Sequence, residues 1–117
     1  MSGRIAKSQI PLKAQNSLPP DALIALIEAK NMLRTGGTLR PFKNERGRTN
    51  LEGPPLPDPS QGCAYLEKQV GYARPGDPLG ESGSKRLVLE VNITSRQIME
   101  IYYTQEHYGK FTFERIV

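Results

Sequence analysis

Between residues 22 and 33 apolar side chains return every three or four positions: Ala22, Ala25, Leu26, Ala29, Met32 and Leu33 fall on one stripe, with Glu28, Lys30 and Asn31 largely off it. That is the period of an amphipathic helix with one face against a core. Leu18-Pro19-Pro20-Asp21 opens it. A proline in the first turn lacks only an N–H that would have no partner there, and Asp21 sets negative charge near the positive end of the helix dipole. Gly36-Gly37 ends the helix. Further on the period changes to two. Leu87, Leu89, Val91 and Ile93 alternate with Arg86, Val88, Glu90 and Asn92, which makes 85–93 a strand with the first set on its core face and Arg86 on the other. Stretches 64–70, 98–104 and 110–116 also read as strands, and a short one is expected around 39–42. Thr94-Ser95-Arg96-Gln97 suits a hairpin, and 106–110 links the last pair. One helix followed by a run of strands predicts an α+β fold, the N-terminal helix packed on one face of an antiparallel, half-exposed β-sheet.

The chain has 117 residues, enough for one domain with a real core and too few for two. We expect one domain over 18–117, preceded by a polar, lightly basic N-terminal tail or partly ordered arm over 1–17. No internal repeat is visible. Residues 38–61 carry Pro41, Pro54, Pro55, Pro57 and Pro59, and a loop-rich stretch of this length in a small domain generally has a task.

Several classes drop out. The longest apolar cluster, 22–27, is far shorter than the roughly 18 residues that span a bilayer, so no membrane insertion is expected. The first fifteen residues have Arg4, Lys7 and Lys13 but neither an apolar stretch nor a small-residue cleavage site, so no secretory signal is expected. One cysteine, Cys63, excludes an internal disulfide, and with one histidine it leaves too few N and S ligands for a structural zinc. No metal and no cofactor are expected. The net charge of +4 hides an asymmetry: residues 1–50 hold nine Lys plus Arg against three acids, and residues 51–117 seven against nine. A basic half gains affinity for a polyanion by releasing counterions, which points weakly to nucleic acid.

Three polar residues stand at informative places: Glu67 mid-strand, Arg86 at a strand start and His107 before the last strand. Glu67 shares its parity with Tyr65 and Gln69, opposite Ala64, Leu66, Lys68 and Val70, so it lies on the polar side of the sheet. Singly each is ordinary. Together they match RNA transphosphorylation, which needs a base for the 2′-OH proton, an acid for the leaving 5′-oxygen and a cation for the phosphorane charge. Arginine suits the last role because its fork holds two phosphate oxygens and keeps its charge.

Tyr102-Tyr103-Thr104-Gln105-Glu106-His107-Tyr108-Gly109-Lys110-Phe111 resembles the C-terminal segment of the barnase-like family of small microbial guanyl-specific ribonucleases. Pro41-Phe42-Lys43-Asn44-Glu45-Arg46-Gly47 is similar to that family's guanine-binding loop, Tyr65-Leu66-Glu67 to the strand with its catalytic glutamate, and Lys85-Arg86-Leu87 to the strand start with a phosphate-binding arginine. Leu18-Pro19-Pro20-Asp21-Ala22 is like the helix opening of one branch. The matches occur in family order over about residues 18–117.

The resemblance implies Glu67 as general base, His107 as general acid and Arg86 on the scissile phosphate, with Tyr108 on phosphate or base. It implies Phe42 beside the guanine, Asn44 and nearby backbone N–H groups on O6, Glu45 accepting from N1 and N2, and Lys43, Arg46 and Lys85 as further substrate contacts. Guanine presents donors at N1 and N2 and an acceptor at O6, so a carboxylate beside backbone N–H groups is complementary to it. The chain departs from the pattern in three ways, one being that the connection from Val70 to Lys85 and the hairpin from Leu87 to Thr104 are longer than in the compact secreted members. The loop reads Asn44-Glu45-Arg46 where the family has Asn-Arg-Glu, and the family's second arginine falls here at Glu81, Ser82 or Gly83, with Lys85 or Arg74 as the nearby cations. The expected protein is a monomeric, metal-independent endoribonuclease acting on RNA. Without a signal it is expected to be the toxic domain of an interbacterial effector, secreted or delivered into a target-cell cytoplasm, or else cytoplasmic, with an acidic immunity or inhibitor protein as partner. The alternative is a catalytically weak RNA-binding or protein-interaction module of the same fold.

Overall fold

A computed structural model describes residues 10–42, 56–70, 85–104 and 113–117. The expected helix is α1, Pro20–Arg34, with Ala22, Ala25, Leu26, Ala29 and Leu33 buried. Met32, expected on the same stripe, lies at its margin and is partly exposed. Pro20 opens α1 with Asp21 in its first turn, and the chain leaves through Gly36 at φ +88°, a left-handed conformation that glycine adopts without strain. The Gly37 N–H donates to the Met32 carbonyl, closing a Schellman-type end.

Among the described residues there are six strands, β1 Leu12–Lys13, β2 Arg40–Pro41, β3 Cys63–Gln69, β4 Arg86–Asn92, β5 Ile98–Thr104 and β6 Glu114–Ile116; the last five fall within or close to the expected stretches, and β1 lies in the segment expected to be a tail or arm. Their order in one sheet is β1-β6-β5-β4-β3-β2. The four pairings from β2 to β6 are antiparallel, as expected, and β1 adds a parallel one, so the sheet is mixed. The arm supplies β1 because the free edge of β6 offers unpaired backbone groups. Arg115 N–H donates to Pro11 O and Val117 N–H to Lys13 O, while buried Ile10 anchors the segment. Among the described residues no helix is long and apolar enough to cross a membrane.

Helix α1 covers one face of the sheet, packing with Leu87, Leu89, Val91, Tyr103 and Ile116 as the main core. Lys68 shares that side and pairs with Glu28 of α1 at 3.2 Å. The opposite face is not half-exposed, as the alternation suggests. It carries a second cluster of Ile10, Leu56, Tyr65, Val88, Tyr102 and Phe113, and it buries Arg86, Glu90 and Thr104. The proline-bearing segment before β3 helps to cover it: Leu56 is fully buried there, and Ser60 N–H donates to the Glu90 carboxylate at 2.6 Å.

Ile93, expected on the core face of the strand, is 68% exposed. The ladder shifts register at Glu90/Val91 and β4 ends at Asn92, whose Oδ1 accepts from Thr94 and Ser95 N–H to start the hairpin turn. In that turn Arg96 sits at φ +63°, and its guanidinium reaches the end of α1, donating to Leu33 O at 3.0 Å and to Gly37 O. A cation on these carbonyls satisfies groups that a helix end leaves open and opposes the negative end of its dipole. Arg96→Ala is expected to lower stability by about 1–3 kcal/mol, the scale of charge-assisted hydrogen bonds. Arg96→Gly should lose less, because it relieves the left-handed backbone. Urea midpoints of the two variants check this ordering.

Candidate active site

Registers place the site residues on one lattice. Arg40 of β2 lies opposite Glu67 of β3, Glu67 opposite Val88 of β4, Val88 opposite Tyr102 of β5, and Tyr102 opposite Arg115 of β6. The adjoining row is Gln69, Arg86 and Thr104. Directly opposed residues share a face, and diagonal neighbours remain within reach of long side chains. Glu67 and Arg86 are such a diagonal pair, on the face away from α1.

Their contact follows from that geometry. Arg86 Nε lies 4.0 Å from Glu67 Oε1, and the arginine side chain is 2% exposed against 14% for the glutamate. Arg86 Nη1 also donates to the Lys85 carbonyl at 2.8 Å. A buried guanidinium is thus held beside a carboxylate that keeps an opening to solvent. Such a pair can accept a proton at the carboxylate while the cation receives developing negative charge.

Aromatic rings wall the same face. Phe42 packs edge-on against Tyr65 and Phe113 with centroids 6.1 and 6.3 Å apart, and Tyr102 makes the same kind of contact with Tyr65 and Phe113. Phe42 N–H donates to Tyr65 O, fixing the last described residue before the expected guanine loop to β3. Burial pushes the Tyr102 phenol up to about 12, reinforced by Glu100 and Glu90. Tyr65 and Tyr103 also move up, again chiefly through burial. An unfolded phenol loses its proton near pH 10, below the folded value, so alkali drives unfolding. The stabilisation from these three neutral phenols is present below about pH 10 and is lost progressively above it, for Tyr102 as pH rises through about 12. Phenolate absorbance from the three is expected to appear together with loss of circular dichroism. Their ionisation near pH 10 in a still folded protein would contradict the burial.

The expected site residues divide into three groups. Glu67, Arg86 and Phe42 are gathered on one face. Lys85, read as a substrate contact, points the other way: strand alternation takes it to the helix side, where Nζ meets Asp21 Oδ2 at 3.0 Å. His107, Tyr108, Lys43, Asn44, Glu45 and Arg46 lie outside the described residues.

No protein-family model matches the chain, and no curated protein matches it. Among solved structures it is similar to ribonuclease Sa2 with guanosine-2'-cyclophosphate, at 22% identity over 92% of this chain and 96% of that one, with a TM-score of 0.48. It is also similar to ribonuclease Sa2 with exo-2',3'-cyclophosphorotioate, at 19% identity over 92% and 97% of the two chains, with a TM-score of 0.47.

Two charged positions on this face escaped the reading of the sequence. Arg40 is in register with Glu67, a relation visible only once β2 is paired, although its parity with Phe42 was available. Glu90 is buried and holds the segment before β3 through Ser60. Its face follows from the alternation along β4, but nothing local announces the cover over it. Elsewhere, a surface cavity of about 530 Å³ at the end of α1 is lined by Lys30, Leu33, Arg34, Arg96, Gln97 and neighbours, and it brings no acid–base pair together.

Proposed function

We propose that this protein is a metal-independent endoribonuclease that cleaves single-stranded RNA 3′ of guanosine by transphosphorylation. The observation that carries the reading is the Glu67–Arg86 pair: a carboxylate with an opening to solvent, 4.0 Å from a buried guanidinium on one sheet face. Glu67 takes the 2′-OH proton and the 2′-oxygen attacks the adjacent phosphorus. Arg86 holds the phosphoryl oxygens as negative charge builds on them. The bond from phosphorus to the 5′-oxygen breaks, and that oxygen takes a proton from His107, the acid that the family resemblance assigns. The products are a 2′,3′-cyclic phosphate and a 5′-hydroxyl, with Glu67 protonated and His107 neutral. Hydrolysis of the cyclic phosphate by water, with the two roles reversed, restores both. Asn44, Glu45 and the backbone beside them supply the guanine contacts that the same resemblance implies, with Phe42 at the base.

The test is digestion of an RNA containing all four bases in EDTA, with the new 3′ ends mapped. Cuts after guanosine bearing cyclic phosphates are expected. Cyclic phosphates after several bases keep the mechanism and remove the guanine preference; intact RNA at every protein concentration removes the enzyme.

A further inference from the structure

We infer that Arg40 is a second phosphate-binding cation of this site, standing on the side of Glu67 away from the rest of the sheet. The inference rests on the ribonuclease reading above and adds a substrate contact to it. Arg40 and Glu67 are directly opposed across β2 and β3, so their side chains share the face that also carries Arg86 and Phe42. Arg40 is exposed to solvent. The other described arginines are engaged: Arg34 with Asn31, Arg86 with Glu67 and the Lys85 carbonyl, Arg96 with the end of α1, and Arg115 with Glu100. Among the described residues the Arg40 side chain makes no hydrogen bond and no ion pair.

Charge and spacing explain why a cation belongs there. A phosphate brought to Arg86 also approaches the Glu67 carboxylate, and a single guanidinium only balances that carboxylate. A second one makes the group of three side chains net positive. An RNA strand carries a phosphate at every nucleotide, so a strand seated on Arg86 presents a neighbouring phosphate across Glu67. Lys85 cannot fill this place, being paired with Asp21 on the helix side. Arg40 therefore supplies, from the edge strand, charge that the family pattern takes from an arginine absent between Glu81 and Gly83.

The test uses the full chain and two single-stranded probes of one sequence: an RNA, and its 2′-deoxy analogue, which lacks the attacking hydroxyl and so cannot be cleaved. Arg40→Gln should flatten the dependence of log affinity for the deoxy probe on log salt by about 0.7, one phosphate contact on a single strand. It should raise KM for RNA about threefold to fivefold, as expected for one exposed ion pair, and leave kcat nearly unchanged. Arg40→Lys should restore the slope, and Arg34→Gln, at the far end of α1, should leave it as in wild type. A wild-type slope in Arg40→Gln, with RNA still cleaved, overturns the Arg40 contact and leaves the ribonuclease reading standing. A flattened slope in a protein that binds without cleaving supports the contact and overturns the enzyme. Wild-type protein that neither binds nor cleaves overturns both.

Discussion

Exchange of Glu67 for glutamine is expected to lower kcat for RNA cleavage by about 10²- to 10⁴-fold, the range that general base catalysis contributes. Glutamine matches glutamate in size and still accepts hydrogen bonds, but it does not take up a proton at neutral pH. Glu67 lies in the middle of β3, where backbone pairing to β2 and β4 holds it whatever its charge. The fold should therefore persist, and the thermal midpoint is the control. Affinity for an uncleavable strand should hold or rise, since the variant removes a negative charge beside the phosphate. A Glu67→Gln variant with more than about a tenth of wild-type kcat would mean that another group is the base.

Arg86→Met should cost about 10²- to 10³-fold in kcat, the scale of losing one preorganised donor to transition-state charge. Methionine suits the site because its flexible, unbranched side chain fills most of the volume a buried arginine leaves. The variant removes a donor from the Lys85 carbonyl and a cation from Glu67, a loss of about 1–3 kcal/mol in stability for a buried hydrogen-bonded group. Glu67 retains an opening to solvent and can hydrate, which keeps the cost toward the lower end. Arg86→Lys should not restore the rate, because a point charge on a flexible stem lacks the fork that holds two oxygens. Rates measured at a temperature well below the variants' melting points separate the chemical loss from unfolding. Equal falls in activity and in folded fraction would assign Arg86 a structural role alone.

Local patterns carried much of the architecture. The stripe from Ala22 to Leu33 and the alternation from Arg86 to Asn92 were both strong enough to decide which side chains meet across the main core. The parity of Glu67 with Tyr65 and Gln69, and of Arg86 with Val88, placed both site residues on the face opposite α1. Features that depend on distant segments were not legible. The second cluster exists because residues before β3 and after β5 return to cover that face, so polar-looking positions such as Glu90 and Thr104 are buried by partners far away in sequence. The parallel strand β1 depends on an edge of β6 that no local period announces. Tyr65, Tyr102 and Tyr103 are buried, and no local signal in the sequence separates packing from exposure for a tyrosine. Lys85 shows the limit of reading by neighbourhood: one residue from Arg86 in sequence, it stands on the opposite face of the sheet.

The most direct test of the central claim is the mass of the first product released from an RNA with a single guanosine, next to the same strand methylated at that guanosine's 2′-oxygen. A 3′ fragment with a 5′-hydroxyl, a 5′ fragment one water lighter than its linear phosphate, and no cleavage after the methylated guanosine are the results the Glu67–Arg86 mechanism predicts. Cleavage of the methylated strand directly after that guanosine, or a linear phosphate as the first product, would contradict it, since neither can arise by attack of a 2′-oxygen whose proton Glu67 has taken.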